Sequence, residues 1–273
     1  MKHWLLSLAL WTLFPVSAYA HAITFGIVPQ QSAVTLAQNW GPILKYLSEQ
    51  IGHDVVFRTA KDIPEFEKRL LAGEYDIAYM NPYHYTVFHQ KPGYLAFAKQ
   101  KNKQIRGVLV INKNSSVTSI HQLDGQKLAF PSPVAFAATV VPLSSLEQMG
   151  INVVPQYVSS HESVYLNVAK GFFIAGGGIE RTFNNSSSQV KEQLRVLWRT
   201  PGYTPHAFAS HPDLDPDLVQ KVQTALVNMA ATKHGLELLK SINFNGITPA
   251  NNQDWDDVRS LNISLLQHMI DTE

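Results

Sequence analysis

The chain has 273 residues, 22 basic against 21 acidic side chains and no cysteine. That absence excludes disulfides, thiolate metal sites and cysteine nucleophiles, and the charge balance leaves no global field to gather nucleic acid or anionic lipid. The length allows one large domain or two lobes of ordinary size.

Read from the start, Lys2 and His3 precede an apolar run from Trp4 to Val16 and the small-x-small triplet Ala18-Tyr19-Ala20. This pattern predicts a signal peptide over 1–20, too short in its apolar run to span a bilayer, with His21 as the mature N-terminus and export to a periplasm. Without Lys2, the mature chain would carry 21 basic and 21 acidic residues. Any anion must then be held by local geometry.

Strand and helix patterns alternate from there on. Ile23 to Val28 reads as a strand and Gln30 to Ser32 as a turn. Val34, Ala37, Trp40, Leu44 and Leu47 then recur at helical spacing, with a kink expected at Gly41-Pro42. Asp54 to Thr59 is a second strand, and Asp62 caps a helix closed by Gly73. Next comes DIAYMNPYHY, residues 76–85: an apolar strand running into Asn81-Pro82, a helix cap followed by a first-turn proline. Unpaired N–H groups and the positive end of a helix dipole should lie there, beside Tyr83, His84 and Tyr85, a corner suited to a small anion. Strands follow at 94–98 and 105–111, and polar 112–116 suggests a crossing between lobes.

Lys127 to Phe130 is a strand, Val134 to Met149 a helix, Val153 to Val158 a strand, His161 to Lys170 a helix, and Phe172 to Ala175 a strand. Leu194 to Arg199 reads as the strand returning to the first lobe, and helices dominate from Asp215, the last over Trp255 to Ile270. Such alternation implies α/β lobes with mostly parallel sheets flanked by helices: lobe 1 over 21–111 and again over 201–273, lobe 2 over 112–200. Phe130-Pro131-Ser132-Pro133 echoes Met80-Asn81-Pro82, so each lobe could present a helix N-terminus to a shared cleft.

Several segments, in order, resemble the periplasmic substrate-binding proteins of phosphate, phosphite and phosphonate ABC transporters. They are FGIVPQQS (25–32), FEKRLLAGEYDIAYM (66–80), Asn81 to Tyr85, AFPSPVAFAA (129–138) and Ser160-His161-Glu162. The resemblance covers nearly all of the mature chain. It implies a two-lobed clamshell that closes on a small oxyanion and delivers it to a membrane permease. With no nucleophile elbow, HExxH, paired-histidine spacing or carboxylate cluster in the sequence, a phosphoester hydrolase is disfavoured and no enzyme activity, cofactor or metal is expected, the protein acting as a monomer. A sensory binding protein that signals to a membrane histidine kinase or cyclase is the alternative, because the pocket has diverged. Val134-Ala135-Phe136-Ala137 stand where the family usually places a hydroxyl run, and Ile174 where it usually carries an aspartate.

By that resemblance Tyr85 is a pocket tyrosine and His161 a ligand contact, while Gln30 belongs to a matching segment. Of Tyr83 and His84, at most one should reach the cleft, since neighbours on a helix diverge. Ser132 could cap the second-lobe helix or touch the anion, and Ala135 and Phe136 would offer backbone N–H groups. Glu162 reads as a first-turn dipole partner. Gly176-Gly177-Gly178 would let backbone approach a ligand, but no GK[ST] ending makes it a phosphate loop. After it, Arg181 could grip an oxyanion and Glu180 accept from the ligand, only one of them facing the cleft. Tyr203 and His206 follow the return crossing and could line the cleft.

Overall fold

The computed structural model describes residues 22–271; the segment read as a signal peptide lies outside them. Strand β1 (Ile23–Ile27) opens the first lobe, four of its five residues buried. Helix α1 (Ala33–Ile51) follows, with the Ser32 side chain accepting Thr35 N–H at its start. Gly52, in the left-handed region, closes it by donating to Ser48 O. The helix continues through Gly41-Pro42. Strand β2 (Val55–Arg58), helix α2 (Ile63–Leu71) capped by Asp62, strand β3 (Ile77–Met80) and the short helix α3 (Pro82–Phe88) complete the opening units.

Two mixed sheets result. The first joins β1, β2 and β3 to β4 (Leu95–Gln100), β10 (Ala207–Ser210) and β11 (Ile247–Pro249) in the order β11-β4-β10-β3-β1-β2. The second holds β5 (Ile105–Asn112), β6 (Lys127–Phe130), β7 (Val154–Tyr157), β8 (Ala175–Ile179) and β9 (Leu194–Tyr203) in the order β7-β6-β8-β5-β9. Pairing is parallel for β1 with β2 and β3 and for β6 with β7 and β8, and antiparallel wherever β10, β11, β5 or β9 take part. The expected α/β two-lobed fold is present, with mixed rather than mostly parallel sheets.

The lobe boundaries read from sequence need correction. Strand 105–111, assigned to lobe 1, pairs with β8 and β9 in the second sheet, and β9 stays in that sheet to Tyr203 instead of returning. The polar segment 112–116 is a surface connection within the second lobe; polarity marks exposure, not a crossing. The chain therefore crosses between Gln100 and Ile105 and again between Tyr203 and Ala207. The strand expected over 172–175 sits later, at β8, which contains all three consecutive glycines. The helix expected over 255–270 breaks into Asp256–Arg259 and Gln267–Asp271.

An aromatic cluster fixes the first lobe beneath the cleft. The Tyr79 ring centroid lies 4.8 Å from both Trp40 and Phe208. The same ring stacks on His206, 4.9 Å away at 18°. The crossing segment 204–206 is tied down from behind, with Trp255 Nε1 donating to Pro205 O at 2.9 Å and Thr204 N–H to Asp257 at 2.7 Å. A core of burial energy thus sets the position of a cleft imidazole.

Candidate functional site

A small cavity lies where the lobes meet, lined by Gln30 after β1, Asn81 before α3, Ala135–Ala138, Ile105, Ile179, His161 and His206, with Val28 and Ile63. Ala135–Ala138 enter a π-helical turn (Phe136–Val140) that runs on into helix α4 (Val141–Gln148). The Ala135 carbonyl accepts N–H from Thr139 and Val140. The N–H groups of Phe136, Ala137 and Ala138 stand ahead of the first turn and have no acceptor within the helix. Local π-turns of this sort concentrate at functional sites.

His161 starts helix α5 (His161–Ala169), whose cap is the Ser160 side chain. Its Nδ1 lies 3.2 Å from Thr182 Oγ1, which is itself 2.8 Å from the Tyr165 hydroxyl. Burial, with Arg181 adding to it, lowers its pKa to about 3. His206 is driven well below the usual histidine value by the same two causes. Both rings are neutral at physiological pH, so each can offer an N–H without adding charge to the cleft.

Arg181, in helix α6 (Glu180–Asn184), reaches across from the second lobe. Its guanidinium donates to Gln30 Oε1 and lies 5.7 Å from the Tyr79 ring and 6.0 Å from that of Phe244. Since an arginine can only donate, the amide oxygen of Gln30 faces it and the Gln30 NH₂ faces His206 Nε2, 2.7 Å away. His206 Nε2 must then accept, which places the proton of that ring on Nδ1. Among the described residues no carboxylate stands within ion-pair distance of Arg181. A partly buried cation without an acid, beside bare amides and neutral imidazoles, has the chemistry of an anion site.

A family model described as an ABC transporter phosphonate periplasmic substrate-binding protein matches residues 25–255. The chain belongs to that family. The phosphate-import protein PhnD of Mycolicibacterium smegmatis is 20% identical, over 88% of this chain and 85% of the relative. A probable ABC transporter phosphite binding protein, PhnD1 of Prochlorococcus marinus, is 22% identical over 79% of each. Two solved structures share the fold. The binding protein component of an ABC phosphonate transporter from Pseudomonas aeruginosa has a TM-score of 0.81 at 18% identity, covering 88% of this chain and 85% of that one. PhnD1 from P. marinus in complex with methylphosphonate has a TM-score of 0.80 at 19% identity, covering 88% and 98%. The chain is accordingly the periplasmic, ligand-capturing component of an ABC transporter, from a family of binding proteins and not of enzymes. Among the described residues no helix is long and apolar enough to cross a membrane.

Of the positions singled out in the sequence, Gln30, Ala135, Phe136 and His161 line this family member's cavity. Arg181 stands in an adjoining compartment that shares Ile105, Ile179 and His206 with it. His206 proves central. Its signal in the sequence was its place just after the return crossing, where residues often line a cleft. Ser132 is buried just ahead of the π-turn, and its hydroxyl has no protein partner. Tyr203 lies behind the wall, its ring 5.5 Å from Phe136 and edge-on to it.

Two expectations fail. Tyr83 and Tyr85 point into the first lobe: the Tyr83 hydroxyl accepts Leu266 N–H at 2.9 Å, and the Tyr85 hydroxyl donates to Asn252 Oδ1 at 3.0 Å against the Trp255 ring. The C-terminal segment that covers them is far off in sequence, so their neighbours could not be read locally. His84 is also withdrawn, 2.9 Å from Glu67. Nor does the Asn81 corner offer a row of bare amides, because Asn81 itself takes the N–H groups of His84 and Tyr85. Glu180 lines the same adjoining compartment as Arg181 but is absent from the inner cavity, and its carboxylate is engaged by Arg199, 3.2 Å away, and Lys103. Tyr85→Phe should therefore leave oxyanion affinity within twofold while lowering stability by about 1 kcal/mol, measurable by calorimetric titration and urea unfolding of one sample; a large loss of affinity would return Tyr85 to the site.

The three glycines do not cradle a ligand. Within β8 they let helices approach the sheet: a Cβ on Gly176 would meet Val164 Cγ1 at 2.4 Å, and one on Gly178 the Tyr165 hydroxyl at 2.1 Å.

Proposed function

We propose that the cleft captures a small phosphorus oxyanion, with an alkylphosphonate such as methylphosphonate favoured over inorganic phosphate, and that the lobes close on it for delivery to an ABC permease. The observation that carries this is Arg181, a cation without an acid partner in the compartment adjoining the cavity of Phe136, Ala137 and Ala138 and joined to it through Gln30. The anion replaces its hydration shell with those amides, the guanidinium and the imidazole N–H groups. No carboxylate lines the inner cavity to accept a strongly held P–OH proton, Glu180 in the adjoining compartment is paired with Arg199 and Lys103, and Val28, Ile63, Ile105, Phe136 and Ile179 provide an apolar wall for a methyl group. The names of the relatives, phosphate-import and phosphite-binding, support the same class of ligand. Calorimetric titration with methylphosphonate, phosphite, phosphate and sulfate is expected to show that order of affinity, and silence with all four would sink the reading.

The lobes in this reading are 22–100 with 207–271, and 105–203, joined by the two crossing segments. The protein works as a monomer without catalysis, exported through the signal peptide at 1–20. Transport is favoured over sensing because the matching family is a transporter component. Closure is latched between lobes by Glu162, whose carboxylate accepts Ser32 N–H at 2.9 Å at the start of α1, with an Asn243–Asn185 bond on the same flank. Glu162→Gln is expected to weaken ligand binding two- to fivefold, roughly 0.4–1 kcal/mol for a half-exposed contact at a helix N-terminus. The change should fall in the dissociation rate, which stopped-flow displacement would read; an unchanged rate would mean that the contact has no part in holding the lobes together.

A further inference from the structure

The segment that lines the cavity rests on two glycines of the second sheet. A Cβ on Gly107 would stand 2.0 Å from the Ala137 carbonyl oxygen and 2.8 Å from Thr200 Cγ2. One on Gly177 would stand 2.1 Å from the Ala138 carbonyl oxygen and 2.5 Å from the Phe130 ring. Leu109 is paired with Gly177 across β5 and β8, so Gly107, two residues from Leu109, and Gly177 share one face of the sheet. Gly176 points to the other face, against the side chains of Val164 and Val168 in α5. The crowding at Gly107 and Gly177 involves main-chain oxygen, which cannot swing aside as a side chain can. In a trans peptide the N–H points opposite to the C=O. With the Ala137 carbonyl seated on Gly107, the N–H of Ala138 is directed away from the sheet.

We propose that Gly107 and Gly177 are positioning residues for anion capture. They set how closely the Ala135–Ala138 turn lies on the sheet, and with that the depth of the cavity and the aim of its amides. This deepens the proposed function and rests on it: the amides must be what holds the oxyanion. An added methyl lifts the turn into the cleft and narrows a space with little room to spare.

The test compares Gly107→Ala and Gly177→Ala with Gly176→Ala, which crowds the sheet on its opposite face. Each is titrated with methylphosphonate, its melting temperature is recorded, and the ¹⁵N amide signals of Phe136, Ala137 and Ala138 are followed through the titration. The expected result is a loss of affinity of tenfold or more in G107A and G177A, with those amide shifts reduced, while G176A loses thermal stability but binds within twofold of wild type. If G107A does not fold, G177A is read alone and G107A is repeated with Thr200→Ser, which removes Cγ2 and keeps the hydroxyl bonded to the Gly107 N–H. Wild-type affinity in the folded Gly107 and Gly177 variants, or an equal loss in all three, overturns the inference. If wild type itself ignores methylphosphonate, phosphite and phosphate, the proposed function falls first and takes this inference with it.

Discussion

Replacing Arg181 with alanine is expected to weaken methylphosphonate binding about 100-fold, or roughly 3 kcal/mol, the scale of losing one desolvated charge-assisted contact. Three observations set the size of the effect. The guanidinium has no acid partner among the described residues, so its charge is available to a ligand. It lies over the rings of Tyr79 and Phe244, which hold it in one orientation. It also fixes the Gln30 amide, and through Gln30 the acceptor nitrogen of His206. Arg181→Lys keeps the charge but cannot reproduce the planar fork over an aromatic face, so it should recover only part of the affinity. Calorimetric titration of wild type, R181A and R181K would check both steps; R181A binding as tightly as wild type would remove Arg181 from the site. Thermal stability should change little in either variant, because the guanidinium is only partly buried.

Acid should destabilise the fold more steeply than exposed histidines alone can explain. In the unfolded chain His161 and His206 take up protons as the pH falls below about 6.5. In the folded chain His161 stays neutral down to about pH 3, and His206 is also held well below the usual value. Between those limits the unfolded state binds more protons, so stability is complete above about pH 6.5 and declines as the pH drops. Each buried neutral imidazole contributes a slope of about 1.4 kcal/mol per pH unit, and the pair nearly 3. The structural reason for His206 is direct: its Nε2 accepts from the Gln30 NH₂, so a proton there would set two donors against each other beside Arg181. Urea midpoints at pH 7.5, 6 and 5 would measure the slope, and His161→Asn, which cannot titrate, should take away about half of it. A profile that is flat from pH 7.5 to 5 would mean that both rings ionise normally in the fold.

In the proposed site, main-chain groups stand where the family resemblance led one to expect side-chain donors. Ala135, Phe136 and Ala137 carry no hydroxyl, yet their segment keeps its main-chain N–H groups, which any sequence provides wherever a helix begins. The buried, unpartnered hydroxyl of Ser132 sits one turn earlier. What side chains do not supply on one wall is concentrated in Arg181 and the two imidazoles on the others.

The sequence by itself determined the local elements and the fold. Asp62 and Asn81 cap the helices they were read to cap, and the order of strands and helices carried the two-lobed α/β architecture. Caps and periodicity depend on neighbours within a few residues, which is why they are legible in one dimension. The Ala135-Phe136 turn was reachable for the same reason, marking a helix start, whereas His161 was reached through the family resemblance. The tertiary structure alone decided which side chains around those starts face the cleft. Tyr83 and Tyr85 were claimed by Leu266 and Asn252, more than 160 residues away along the chain. His206 was brought to Gln30 by a crossing that Trp255 pins in place. Glu180 and Arg181, adjacent in sequence, were given different partners, one on β9 and the other after β1. Strand membership was decided in the same way, since β5 pairs with β8 and β9 and not with the strands that precede it. Burial and pairing are settled by contacts distant in sequence, and no local pattern encodes which distant segment will arrive.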